Sequence, residues 1–163
     1  MRCVVSDTGP LLHLTEAQAL HLLQWVGDLH APPQVVAEMA YHLSDWRVPE
    51  WMTLDVLVAP HASDASAWQQ TGLLDAGEAE AIALARQIKA DWLLTDDAAA
   101  RLFAAELGLE VHGSLGVVLW AAALGHIDRV EAGRTLTELA ASSLWISGRV
   151  LAEAGAALDE ISR

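Results

Sequence analysis

The sequence predicts an α/β fold, with a mainly parallel sheet covered by helices on both faces. Three observations point to it. Short apolar runs, such as residues 3–6 and 92–95, have the length and composition of buried strands. Each gives way to a stretch whose apolar residues recur at helical spacing. The alternation then repeats along the chain, as it does where parallel strands are joined by helical crossovers. With 163 residues the chain is long enough for one domain with a proper core, and a composition of 53% hydrophobic and 19% charged residues excludes disorder.

The first strand, residues 3–6, is stopped by Asp7-Thr8-Gly9-Pro10, where Asp7 or Thr8 can cap a helix and Pro10 suits a first turn. Leu11, Leu12 and Leu14 begin the apolar face of that helix. A second helix is predicted over 15–26, ended by Gly27. Residues 29–31 suit a short strand. Pro32 and Pro33 open a helix over 34–42, with Val35, Val36 and Met39 on one side and Glu38 one turn in. Residues 44–60 carry little pattern beyond an extended segment, 54–58, that suits an edge strand. Asp75 caps a helix running through Glu78, Glu80, Ile82, Leu84 and Ile88 to residue 90. The strand 92–95 stops at Asp96-Asp97, and the helix that follows is ended by Gly108. Residues 110–112 form the last strand. Gly113-Ser114-Leu115-Gly116 leads into a helix over 117–124, and 126–163 reads as helical with a break near 142–147. The whole chain reads as one domain, 1–163, with 128–163 as a helical C-terminal extension. Trp25, Trp68, Trp92 and Trp120 fall on these elements and are expected in the core.

In a sheet of this kind functional groups gather outside the carboxyl ends of the strands. Asp7 and Asp96 each directly follow a strand. Glu38 and Glu78 lie in early turns of helices that can lead away from the same edge. Brought together, such groups repel: two carboxylates ~5 Å apart cost roughly 3 kcal/mol at an effective dielectric of 20. Either one takes up a proton or a cation sits between them. Oxygen-only donors suit Mg²⁺ or Mn²⁺, and an ion so held can activate water and steady a phosphate oxygen. Taken singly, each acid also has a plainer explanation. Asp7, Asp96 or Asp97 can be an N-cap, Glu38 a solvated helix residue, and Glu78 a first-turn acid favoured by the helix dipole.

Other chemistries find less support. The seven histidines form no H-x-H or H-E-x-x-H pattern, and there is no P-loop or G-x-G-x-x-G. The lone cysteine, Cys3, cannot form an internal disulfide, which fits a reducing, cytoplasmic setting. No apolar run reaches the ~18 residues of a membrane span, and no signal-peptide pattern is present. A net charge of −13, from 22 acids and 9 bases, weighs against gripping nucleic acid by charge alone and favours basic partners. Trp46 and Trp51, flanking Arg47 and Pro49, are consistent with base stacking, with a partner interface, or with local packing.

Five segments occur in a telling order: Val4-Val5-Ser6-Asp7-Thr8-Gly9-Pro10-Leu11; Ala31-Pro32-Pro33 through Val36-Ala37-Glu38; Gly77-Glu78-Ala79-Glu80-Ala81-Ile82-Ala83-Leu84-Ala85; Leu93-Leu94-Thr95-Asp96-Asp97-Ala98-Ala99-Ala100-Arg101; and Leu107-Gly108-Leu109-Glu110-Val111-His112-Gly113-Ser114-Leu115-Gly116. Together they resemble the PIN-domain nuclease family, over about Val4 to Ile127. The branch they most resemble is the prokaryotic one found beside toxin–antitoxin loci, the VapC-like toxin ribonucleases. The resemblance implies a three-layer α/β/α sandwich, Mg²⁺- or Mn²⁺-dependent hydrolysis of RNA, an antitoxin that blocks the site, and a homodimer. Position by position, it implies that Asp7, Glu38, Glu78 and Asp96 are the catalytic, metal-binding acids. Asp97 is the alternative fourth ligand, ranked behind Asp96 because Asp96 immediately follows Thr95. Thr8 is placed near the metal through its hydroxyl. Arg101 is consistent with orienting Asp97, meeting a phosphate, or forming a helix-surface salt bridge. A catalytically weak or inactive PIN-like module, its acidic face receiving a basic protein, is the competing possibility. A metal-dependent phosphatase of the haloacid-dehalogenase type would call for D-x-D after the first strand, where this chain has Gly9.

Overall fold

Five parallel strands, β1 (Cys3–Ser6), β2 (Asp28–Ala31), β3 (Met52–Leu54), β4 (Trp92–Leu94) and β5 (Val111–His112), form one sheet in the computed structural model, which describes residues 1–163. Their order across the sheet is β3-β2-β1-β4-β5. The chain winds outward from β1 to β3, then returns to the far side of β1 for β4 and β5. The order therefore reverses between β1 and β4, and a crevice is expected at that switch point. The two strands that flank it are also the most apolar. Val4, Val5, Leu93 and Leu94 are all buried, because strands covered on both faces carry continuous apolar runs. The register Val5↔Leu93 and Ser6↔Leu94 sets Asp7 and Thr95 side by side just past the paired ends. Backbone bonds fix them there: the Asp7 N–H donates to the Leu94 carbonyl at 2.9 Å and the Thr95 N–H to the His112 carbonyl at 3.0 Å.

The helices are α1 (Thr8–Glu16), α2 (Leu23–Val26), α3 (Pro33–His42), α4 (His61–Gln70), α5 (Ala76–Gln87), α6 (Ala98–Glu106), α7 (Ser114–Ala123), α8 (Arg129–Ala140) and α9 (Gly148–Ile161). Helix α5 lies on β1 and β4 with α4 beside it, and α6 meets β5. Most of the buried residues of α5 are glycine or alanine, which lets it sit close to the sheet. Helix α2 packs on β2 and α7, while α8 and α9 pack on α7 and on each other. Helices thus flank the sheet on both faces, as expected for a PIN-like α/β sandwich. Leu136, Leu139 and Leu158 of the last two helices join the same hydrophobic core as the strands.

Several local expectations are corrected. The continuous helix over 15–26 does not form: α1 ends at Glu16, Gln18 takes a left-handed backbone (φ 58°), and a 3-10 turn, Leu20–Leu22, leads into α2. Leu22, Leu23 and Val26 are buried by the turned path, so packing overrides a locally helical sequence. Helix α4 was not expected, and it buries only Ala65. The extended segment falls at Met52–Leu54 rather than 54–58. Trp25 is not a core residue: it is 53% exposed and stacks on His126 at 4.8 Å. His126 in turn meets Trp120, which stands edge-on to Trp92, with the Arg2 guanidinium 3.9 Å above the Trp92 ring. Of that ladder only Trp92 is buried. Trp68 is half-buried, edge-on to Phe103 at 5.2 Å. Trp46 and Trp51 are half-buried against the core, which is the local-packing alternative.

Leu94 is fully buried in a central strand. Leu94→Ala is expected to lower unfolding stability by about 2–5 kcal/mol, read from urea denaturation midpoints. A loss under ~1 kcal/mol would contradict this packing.

Candidate functional site

The crevice at the carboxyl ends of β1 and β4 is an open cleft of about 590 Å³. Asp7, Glu38, Glu78, Asp96 and Asp97 all line it, joined by Asp75. Asp7 follows β1, Glu38 comes from α3, Glu78 from the first turn of α5, and Asp96 and Asp97 from the β4–α6 junction.

Asp7 is 5% exposed. Its Oδ1 accepts the Thr8 N–H at 2.7 Å, capping α1, and its Oδ2 accepts the Thr95 hydroxyl at 2.9 Å. Burial pushes its carboxyl up to about 7, against those two hydrogen bonds, and the charges of Asp75 and Glu38 add to the rise. Glu38 accepts the Thr8 hydroxyl at 3.0 Å and the Gln34 amide at 3.3 Å. Its carboxylate lies against Gly77, where a Cβ would overlap it, so a side chain there would push the Glu38 carboxylate out of its present position. Glu78 and Asp75 form a capping box. The Asp75 N–H donates to Glu78 Oε1 at 2.9 Å and the Glu78 N–H to Asp75 Oδ1 at 2.8 Å. Burial pushes the Glu78 carboxyl up to about 8, with Asp75, Asp97 and Asp7 adding their charges.

Asp96 behaves in the opposite way. Its Oδ1 accepts the Ser114 N–H at 2.7 Å, and its Oδ2 accepts the Ser114 hydroxyl at 2.6 Å and lies 2.7 Å from His13 Nδ1. Burial acts to raise its carboxyl, but the His13 and Ser114 contacts outweigh this and hold it below the usual range. A Cβ on Gly113 would sit 2.8 Å from Asp96 Oδ1, so a side chain there would press on the Asp96 carboxylate. Asp97 is exposed and caps α6 through the Ala100 N–H at 2.8 Å, which leaves its other oxygen without a protein partner. The structure therefore brings Asp7, Glu38, Glu78 and Asp97 around one space, with Asp96 at its wall turned toward His13 and Ser114. No three His, Cys, Asp or Glu groups are gathered tightly enough to make a ready-made metal cage.

A family model, DUF3368, described as a PIN domain, matches residues 3–160. The chain belongs to the PIN-domain family. Neither a curated protein nor a solved structure matches it. PIN domains are generally nucleases and usually work with a divalent metal, which points to a nuclease-type function and a nucleic-acid substrate for this chain. No helix of this PIN domain is long and apolar enough to cross a membrane.

Sequence reasoning missed several groups that shape the cleft of this PIN domain. His13 lies 83 positions from Asp96, so no spacing rule pairs them. Ser114 was visible only as part of a turn. Trp145 projects beside the cleft and is 84% exposed. The apolar run Leu144-Trp145-Ile146 inside the helix break was the available signal for it. Arg101 makes no salt bridge, so the helix-surface pair is not what the structure contains.

The raised carboxyls of Asp7 and Glu78 set a pH dependence. Both hold protons to higher pH in the folded chain than in the unfolded one, so the folded state binds more protons between their ordinary values, 3.8 and 4.5, and about 7 and 8. Stability of the metal-free protein is then lost as pH rises through that window. Asp96 acts in the opposite sense, its contribution fading only as pH falls below the ordinary 3.8. Urea unfolding in chelator is expected to show falling stability from pH 5 to pH 8, with a flatter profile and higher stability at pH 8 for Asp7→Asn. Stability that rises over that range would return both carboxyls to their ordinary values.

Proposed function

We propose that this PIN domain is a divalent-metal-dependent ribonuclease, the toxin of a toxin–antitoxin pair, that hydrolyses RNA phosphodiester bonds. One observation carries it. Carboxyls from separate elements, Asp7, Glu38, Glu78 and Asp97, line one cleft at the switch point, where burial pushes Asp7 and Glu78 up to about 7 and 8 and the neighbouring acids add to the rise. A cation relieves that crowding, and the oxygen-only donor set suits Mg²⁺ or Mn²⁺. Asp7, Glu38 and Glu78 would hold it, with Asp97 offering an open oxygen and Asp96 anchoring the wall. Bound there, the ion would stabilise charge on a phosphate oxygen and lower the pKa of water.

The protein's own groups prepare that site. Thr8 joins two of the acids, its N–H donating to Asp7 and its hydroxyl to Glu38. Thr95 fixes the other Asp7 oxygen. Ser114 and His13 keep Asp96 charged at neutral pH. Such outer contacts orient a donor set and typically matter 10–100-fold to metal affinity or activity. The family likeness supports an antitoxin and a homodimer, with the domain taken as 1–163 and its 128–163 helices as an extension. The net charge of −13 supports a basic segment on the antitoxin. The same charge favours the second possibility, an acidic interaction module without catalysis.

The test uses single-stranded RNA with Mg²⁺ or Mn²⁺. The unsubstituted protein is expected to cleave, Asp7→Asn to lose ~100-fold or more, and Ser114→Ala ~10–100-fold. Equal cleavage by the protein and Asp7→Asn would identify a contaminant and sink the catalytic assignment. No heat of Mg²⁺ or Mn²⁺ binding by calorimetry would favour the interaction module.

A further inference from the structure

Beside the acidic cleft lies a second hollow, of about 350 Å³, which shares Asp96, Leu144 and Trp145 with it. Its walls come from the β5–α7 turn and from the chain between α8 and α9. Leu115, Ile146 and Val150 make much of it apolar, and Arg101 lies at its edge. Of the nine Lys and Arg residues, Arg101 alone lines either hollow. It makes no salt bridge, and its Nη1 lies 3.1 Å from where a Cβ on Gly113 would sit, next to Asp96. Trp145 faces both hollows with most of its indole bare, at 84% exposure.

We propose that this hollow is a nucleotide subsite for unpaired RNA, in which a base stacks on Trp145 and the adjoining phosphate pairs with Arg101, next to the phosphate held at the acids. The proposal rests on the ribonuclease reading and adds to it a place for the neighbouring nucleotide. Apolar walls with one guanidinium match a base with its phosphate, and the Asp96 carboxylate that shares the hollow is already taken up by Ser114 and His13. Such walls do not match a basic protein segment, which the rest of this acidic surface attracts but Arg101 repels. The base must be unpaired, because an indole can stack only on a face that a duplex would cover. Stacking also fits a chain of net charge −13, since it is the part of nucleic-acid affinity that needs no positive charge.

The experiment separates binding from cutting. Binding of a fluorescein-labelled ten-nucleotide single-stranded RNA, and of its duplex, is read by anisotropy with Mg²⁺ in the Asp7→Asn background, while cleavage kinetics are read in the unsubstituted background. Trp145→Ala is expected to weaken single-strand binding ~5–100-fold, the range base–aromatic stacking gives, and to leave duplex binding unchanged. Trp145→Phe should restore most of the loss. Arg101→Gln should weaken binding and reduce the slope of log Kd against log salt by ~0.7, the value for one phosphate on a single strand. KM should rise in the Trp145→Ala protein more than kcat falls. Unchanged single-strand binding by Trp145→Ala and Arg101→Gln, with cleavage intact, overturns the subsite and leaves the ribonuclease reading standing. It would also be the result if the hollow receives a protein segment. RNA neither bound nor cut overturns both.

Discussion

Asp7 carries an acid into nearly solvent-free surroundings one residue beyond the central strand, where Asp75 and Glu38 add negative charge. Its ionised form is disfavoured by a few kcal/mol, at ~1.4 kcal/mol for each unit its pKa has risen. The sheet leaves it no escape. Its backbone N–H is bonded to Leu94, so the side chain stays where the strand register puts it. The neighbouring acids are held as firmly, by a capping box at Glu78 and by the Thr8 hydroxyl at Glu38. Charge relief must therefore come from outside the chain, as protons or as a cation. The raised proton affinities of Asp7 and Glu78 follow first from burial and then from this crowding.

Capping and chemistry are compatible at these acids. Asp7 caps α1 with Oδ1 while its Oδ2 takes only a hydroxyl. Asp97 caps α6 with Oδ1 and keeps Oδ2 open. Because a carboxylate accepts about four hydrogen bonds, a cap uses a fraction of its capacity and fixes the direction of the rest. Asp96 has gone further toward saturation, with three contacts from Ser114 and His13 on its two oxygens. That difference bears on which of the adjacent pair faces an ion. It is a matter of side-chain direction, and the order of residues along the chain does not encode it.

The sheet and most helices were legible because β1 and β4 are buried on both faces and read as unbroken apolar runs, and because Asp75, Gly27 and Gly108 punctuate the chain. That five acids would gather at one cleft was legible from their position after strands and in early helical turns. What escaped depends on contacts between distant segments. No glycine or proline marks the turn at Gln18, since residues 11–26 contain neither. Helix α4 buries only Ala65, so it has no apolar stripe to find. The partners of Asp96, at positions 13 and 114, come together only through the fold. Trp25, by contrast, was placed in the core because large apolar residues usually belong there; stacking on His126 at the surface satisfies it instead.

The charge of the chain and its proposed substrate are reconciled by where the bases are spent. Arg129, Arg149 and Arg163 are paired with Asp159, Glu153 and Glu160, and Arg2 lies over the Trp92 ring. Those pairs are exposed and contribute little to stability, and of the five remaining bases only Arg101 lines either hollow. A polyanion approaching such a surface gains little from long-range attraction. Under the proposed function its affinity has to arise at short range, from a cation among the acids, one guanidinium and an indole. Selectivity then follows from the same shortage. A duplex offers only phosphates to a surface poor in positive charge, whereas an unpaired strand also offers base faces. On that proposal, an acidic PIN domain built in this way would discriminate against double-stranded nucleic acid by what it lacks, without needing a shape that excludes it.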